Sequence, residues 1–219
     1  MNGYFITLEG IEGSGKTTQV PSLTECIHEL GYDVLVTREP GGSELAEKIR
    51  AILLDPGSSA LVPLAELFLY LADRAQHVQE VIRPALKAGQ VVLCDRYADA
   101  TVAYQGHARG LGAEMVAELN RYATGGLEPD LTLLFDLPVE IGLARAKERI
   151  DRLESGAPTE DRFEQEAMDF HQRVRDGYLA LAGANPIRYE IIDASRTPEQ
   201  IEQSIRYVTE ARLVPRSSR

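Results

Sequence analysis

Apolar residues in this 219-residue chain fall into two arrangements: short, nearly continuous runs, and longer stretches in which they recur every three or four positions. The first suits strands buried on both faces of a parallel sheet, and the second suits amphipathic helices lying on those faces. Runs at 4–9, 33–37, 91–94, 131–136 and 188–192 read as strands. Helical spacing covers 17–30, 64–88, 113–123, 139 to about 150, and 163–181, together with a helix capped by Ser43 and running to Leu54. Gly31 stops the first helix, 55–59 (Asp-Pro-Gly-Ser-Ser) breaks the second, and Pro84 bends the long third one before Gly89 closes it. Thr197-Pro-Glu-Gln200 is a capping box that opens a final helix.

This alternation predicts an α/β domain with a five-stranded parallel sheet, helices on both faces, and ligands at the carboxyl ends of the strands. Three polar segments fall at such ends: 10–17 after the first strand, 38–42 after the second and 95–97 after the third. Residues 145–162 are different, dense in charge around Ser155-Gly-Ala-Pro-Thr159, and read as a mobile surface excursion.

Length and a 44% hydrophobic content suit one domain over 1–212. Residues 213–219 read as a flexible tail, equally compatible with a protease-site remnant of an expression tag and with a frayed native end. The net charge of −11 argues against a nucleic acid polymer as partner, while a small phosphorylated ligand needs only a few local arginines and lysines. Cys26 and Cys94 lie too far apart in sequence to suggest a redox pair or metal cluster and read as reduced core residues. No apolar run is long enough for a membrane span and no leader pattern opens the chain, so a cytoplasmic protein is expected.

The chemistry begins at Gly10-Ile-Glu-Gly-Ser-Gly-Lys-Thr17, which matches G-x-x-x-x-G-K-[ST] at every fixed position directly behind a strand. Its glycines let backbone N–H groups surround an anion, Lys16 adds a point charge, the Thr17 hydroxyl is a Mg²⁺ ligand, and the helix that follows turns its positive end to the phosphates. The loop therefore predicts binding of a nucleoside triphosphate. Neither Asn-Lys-x-Asp nor Asp-x-x-Gly occurs, which argues against a signalling GTPase. Asp95-Arg96 sets a metal-organising carboxylate beside a guanidinium, as a second phosphate facing the triphosphate would require.

Thr37-Arg-Glu-Pro-Gly-Gly42, Asp95-Arg-Tyr97, Ala103-Tyr-Gln-Gly106 and Pro129-Asp-Leu-Thr-Leu133, in this order behind the loop, resemble the bacterial thymidylate kinase family over nearly the whole chain. The resemblance implies a P-loop nucleoside monophosphate kinase fold with a lid, transfer of a phosphoryl group from ATP to dTMP, and a homodimer. It implies that Gly10, Ile11, Glu12, Gly13, Ser14, Gly15, Lys16, Thr17 and Thr18 hold ATP and that Thr17 and Asp95 serve Mg²⁺. For the acceptor, it implies that Tyr70 stacks on thymine, that Arg74 one helical turn later bonds the base's carbonyl edge, and that Thr101, Tyr104 and Gln105 contact the nucleoside, with Tyr104 crowding the 2′ position. Arg96, with Arg38 and Arg50, would hold the acceptor phosphate beside Pro40, Glu12 would lie near the sugar and phosphate, and Glu39 would organise the cluster or simply neutralise Arg38.

A monophosphate oxygen is already ionised near neutral pH, so positioning and charge neutralisation carry such a reaction without a catalytic base. His28, His77, His107 and His171 accordingly fall in no evident catalytic constellation. None of Ile11, Glu12, Gly13 and Ser14 is basic, which resembles the family branch whose lid supplies the arginine. The lid, about 145–162, offers Arg145, Lys147, Arg149 and Arg152; Arg149 is expected to reach the transferred phosphoryl and Arg162 to flank adenine. The element Asp-Arg-apolar-Glu occurs twice, at 151–154 and 161–164, which leaves the choice of lid arginine open. Two rivals remain: a deoxynucleoside kinase, which would need Glu39 as base, and a regulatory ATPase indifferent to dTMP.

Overall fold

The computed structural model describes residues 3–58, 60–152 and 166–213. The apolar runs pair as one parallel sheet in the order β2-β3-β1-β4-β5, formed by β1 (Tyr4–Glu9), β2 (Val34–Arg38), β3 (Val91–Asp95), β4 (Leu131–Asp136) and β5 (Tyr189–Asp193). Side chains alternate across the sheet, so both faces are covered. Phe5, Val92 and Cys94 meet Val78, Ile82 and Ala85 on one side, while Ile6, Leu8 and Leu93 join Leu23 and Ile27 on the other. The register sets Leu8 beside Asp95 and Asp95 beside Arg38, which brings the ends of β1, β3 and β2 level.

The helices are α1 (Lys16–Glu29), α2 (Glu44–Leu54), α3 (Pro63–His77), α4 (Arg83–Lys87), α5 (Ala98–Thr101), α6 (Ala113–Thr124), α7 (Val139–Arg152), α8 (Met168–Ala184) and α9 (Pro198–Arg212). Ser43 caps α2 by accepting from the Ala46 amide, and Thr197 and Gln200 close the capping box of α9 in both directions. The predicted bend lies just upstream of Pro84: with no N–H at the proline, the helix widens into a π turn at Val78–Ile82 before α4.

Three expectations need correction, and one element has no counterpart in the sequence reading. Residues 98–108 form a continuous helical path, α5 followed by a π segment at Val102–Ala108. Its periodicity is hidden because the polar Thr101 and Gln105 are buried alongside the apolar Val102, Ala103 and Ala108. Helix α7 extends to Arg152 because Val139, Gly142 and Ala146 bury one face, so residues 145–152 of the expected excursion belong to a regular helix. Helix α8 begins at Met168; Glu166 and Ala167 precede it in non-helical conformation, while Phe163 lies outside the described residues. Leu213, assigned to the tail, is 2% exposed and packs into the main core.

Candidate active site

Beyond β1 the chain turns through Gly10, Gly13 and Gly15, all at positive φ. At Gly13 conformation and space act together: a Cβ would stand 1.9 Å from the Gly142 carbonyl oxygen, so the loop sits directly on α7. Gly15 begins α1 without any side-chain cap, which leaves the helix's first N–H groups for an anion. Lys16 Nζ donates to the carbonyls of Gly10 (3.0 Å) and Ile11 (3.1 Å) and to Ser14 Oγ (3.1 Å). Those acceptors are neutral. Burial, followed by repulsion from Arg96, lowers the Lys16 ammonium to about 8. The loop therefore holds a cation that lacks a full counter-charge, which phosphate would supply.

Asp95, at the end of β3, accepts from the Thr17 hydroxyl at 3.2 Å through Oδ2, while its Oδ1 is buried with no hydrogen-bond partner among the described residues. No cluster of three or more His, Cys, Asp or Glu able to hold a metal exists among those residues. A hydroxyl beside a carboxylate oxygen in want of a partner fits a cation that takes its remaining ligands from phosphate and water, as Mg²⁺ does.

Arg96 follows in a left-handed conformation, φ 68°, rare for a residue with a side chain. Its guanidinium donates to the Gly10 carbonyl (3.0 Å), the Tyr178 hydroxyl (3.1 Å) and Glu12 Oε1 (3.0 Å), and lies 5.0 Å from the centre of the Tyr104 ring. The same Glu12 oxygen accepts from the Tyr104 hydroxyl at 2.5 Å, and Glu12 Oε2 lies 3.1 Å from His171 Nδ1. Burial alone would raise Glu12, but the His171 hydrogen bond, the Arg96 charge and the Tyr104 hydroxyl outweigh it and bring the carboxyl down to about 2.

Two cavities meet at this cluster. A cleft of ≈ 850 Å³ is lined by residues 12–19, Arg38, Asp95, Arg145, Arg149, Arg196 and Pro198. A smaller pocket is lined by Pro40, Leu54, Tyr70, Arg74, Tyr97, Ala100, Thr101, Tyr104 and Gln105. Glu12, Glu39, Arg50 and Arg96 line both. The structure thus gathers the loop residues Glu12, Gly13, Ser14, Gly15, Lys16, Thr17 and Thr18 on one side and the expected acceptor residues on the other, except Arg38, which lines the cleft alone. Gly10 and Ile11 turn inward, their carbonyls engaged by Lys16.

Inside the pocket, Arg74 is 1% exposed and donates to Glu39 (2.7 Å), Thr101 (2.8 Å), Asn120 (2.6 Å) and the Tyr97 carbonyl (2.9 Å). A guanidinium has five N–H donors, so little of this one is left for a base; Arg74 is chiefly the brace of the pocket wall. Tyr70 is half-buried at the same wall, and Gln105 is fixed by Glu66 at 2.7 Å. Arg50 donates to the Pro40 carbonyl at 2.8 Å. Arg38 pairs with Glu47 at 3.3 Å and not with Glu39, because Glu39 turns inward to Arg74 and to His77 Nδ1, 2.9 Å away.

The reading of the histidines needs correction. His77 links Glu39 to the Thr37 hydroxyl (2.7 Å), and His171 holds Glu12, so two of the four each orient a carboxylate of the site. Nothing local in sequence announces this, because His77 at the end of α3 and Glu39 in the turn after β2 stand 38 residues apart. Arg196 is a second omission: it lines the cleft from the loop after β5, tied to Asp193 at 2.9 Å. Arg145 donates to the carbonyls of Ala194 (2.8 Å) and Ser195 (3.4 Å) in that loop, Arg149 lines the cleft, and Arg152 turns to Glu148. Arg162 lies outside the described residues.

The sequence model of the thymidylate kinase family matches residues 8–205. The thymidylate kinase of Desulfovibrio desulfuricans is 57% identical over 209 residues, covering 95% of this chain and 96% of that protein. That of a Geobacter species is 58% identical over 208 residues, covering 93% and 92%. The crystal structure of thymidylate kinase from Ehrlichia chaffeensis superposes with a TM-score of 0.75 at 33% identity, covering 96% of this chain and 99% of that one. Motifs, site and fold converge from the first strand to the last helix, and the chain belongs to the thymidylate kinase family, as a P-loop nucleoside monophosphate kinase that transfers a phosphoryl group.

Proposed function

We propose that the reaction of this kinase, ATP + dTMP → ADP + dTDP, runs across the wall shared by the two cavities, with ATP in the large cleft and dTMP in the side pocket. The observation that carries this reading is that Glu12, Glu39, Arg50 and Arg96 line both spaces, so the two phosphates meet where Arg96 stands. The loop amides and Lys16 bind the triphosphate, and Lys16 regains the counter-charge that its buried position lacks. Arg96 aligns the acceptor phosphate with help from Arg50 and Arg38, and Tyr70 and Tyr104 bound the nucleoside. Arg149 approaches the transferred phosphoryl from the last turns of α7, within the stretch assigned as lid. Thr17 and Asp95 would hold Mg²⁺, which when bound neutralises charge on the triphosphate. Every other contribution is positional, since the acceptor oxygen arrives ionised.

A homodimer formed through α2, α3 and α6 accounts for apolar side chains left exposed there, among them Leu45, Ile52, Leu64, Phe68 and Met115. A cytoplasmic location accords with two buried, unpaired cysteines, and no described helix is long and apolar enough to cross a membrane. The test of the reaction is ADP formation with Mg²⁺ and ATP, comparing dTMP, dUMP, dCMP, AMP, thymidine and no acceptor. Strong stimulation by dTMP supports the assignment; stimulation by thymidine instead, or hydrolysis indifferent to the acceptor, overturns it.

A further inference from the structure

Glu9, the last residue of β1, is fully buried and one residue outside the loop motif. Its two carboxylate oxygens are used in two different ways. Oε1 accepts the backbone N–H of Tyr97 at 2.8 Å, and Oε2 accepts the Tyr178 hydroxyl at 2.7 Å. Both partners lead directly to Arg96. The Tyr97 amide is the peptide that follows the left-handed residue 96, and the Tyr178 oxygen in turn accepts from Arg96 Nη1 at 3.1 Å. Cys94 Sγ donates to the Arg96 carbonyl at 3.0 Å, so the strained corner is held from both sides. Left-handed φ is unfavourable for a residue with a Cβ, and it persists only where the surroundings over-determine it.

We propose that Glu9 is a positioning residue for Arg96, fixing its backbone through the Tyr97 amide and its guanidinium through the Tyr178 hydroxyl. Burial, followed by the nearby charge of Asp99, pushes Glu9 up to about 8, and the hydrogen bonds from the Tyr178 hydroxyl and the Tyr97 amide act against that rise. Glu9 lines neither the cleft nor the side pocket and is no catalytic residue. Its effect is spatial: it sets where the fork of Arg96 stands between loop and pocket, so that the acceptor phosphate is met in line. The inference rests on the reading of Arg96 as the residue that aligns the acceptor phosphate.

The experiment is a mutant cycle on kcat/KM for dTMP, with folding followed by circular dichroism. Glu9→Ala is expected to lower kcat/KM by about tenfold or more while leaving the KM for ATP near wild type. Glu9→Gln, which keeps an acceptor for the Tyr97 amide, is expected to recover part of that loss. In an Arg96→Ala background, assayed at high enzyme concentration, Glu9→Ala is expected to cost nothing further. Should Glu9→Ala fail to fold, Tyr178→Phe, which removes the hydroxyl between Glu9 and Arg96, enters the same cycle. An equal loss in both backgrounds, or a loss in ATP affinity alone, overturns the proposal. Arg96→Ala by itself tests the underlying reading: if that variant turns over dTMP normally, the reading of Arg96 fails, whatever Glu9 does.

Discussion

Two buried charges of opposite sign define the site at the scale of single residues, and each makes a prediction about pH. Lys16 is held at about 8 against an ordinary 10.5 by burial and by Arg96. The unfolded chain therefore binds more protons between these values, so the Lys16 contribution makes stability rise with pH across that window. Phosphate restores the ammonium's partner and raises its pKa. ATP binding at about pH 8.5 should thus take up protons, measurable as binding enthalpies that differ between buffers of different ionisation enthalpy. Glu12 has the opposite sign: at about 2 against 4.5, its contribution to stability is complete above 4.5 and is lost as pH falls towards 2. Melting temperature followed through this range should fall more steeply in the wild type than in Glu12→Gln, which has no proton to take up there. The loop motif made Lys16 legible in the sequence, but the partners of Glu12 were not, because Tyr104, Arg96 and His171 reach it from distant parts of the chain.

At the scale of elements, the loop and α7 form a contact so close that neither glycine tolerates a side chain. A Cβ at Gly13 would meet the Gly142 carbonyl oxygen at 1.9 Å, and one at Gly142 would meet the Glu12 carbonyl oxygen at 2.6 Å. Gly13→Ala should lower ATP affinity by about tenfold or more and reduce the melting temperature, because the loop must lift off the helix. Thr197→Ala, by contrast, removes only the capping box of α9 and should cost about 1 kcal/mol with kcat unchanged. The elements that were legible in the sequence bury an apolar stripe or run and carry punctuation of their own, as β1, α2 and α9 do. The path from Ala98 to Ala108 was missed because polar side chains are buried among its apolar ones: Thr101 binds Arg74, Tyr104 binds Glu12 and Gln105 binds Glu66. A helix whose buried positions also serve a ligand pocket shows a weakened apolar period, the signal by which helices are recognised.

At the scale of the whole molecule, the topology brings three strand ends level and leaves one cleft and one pocket with a common wall. Sequence order alone located those ends, while the inward turn of Glu39, away from Arg38, depends on where α3 packs. The exposed apolar side chains of α2, α3 and α6 predict that Phe68→Glu yields a monomer by sedimentation while the unsubstituted chain sediments as a dimer. The central claim is that positioning alone, with no base, carries phosphoryl transfer to an acceptor that is already ionised. It is tested most directly by the kcat of Glu39→Gln at saturating dTMP and ATP. Glu39 accepts from Arg74 and His77, and His77 can present its other tautomer to a glutamine. A fall within about tenfold is expected; a loss of about 10⁴-fold would show Glu39 acting as a general base and would contradict transfer by positioning alone.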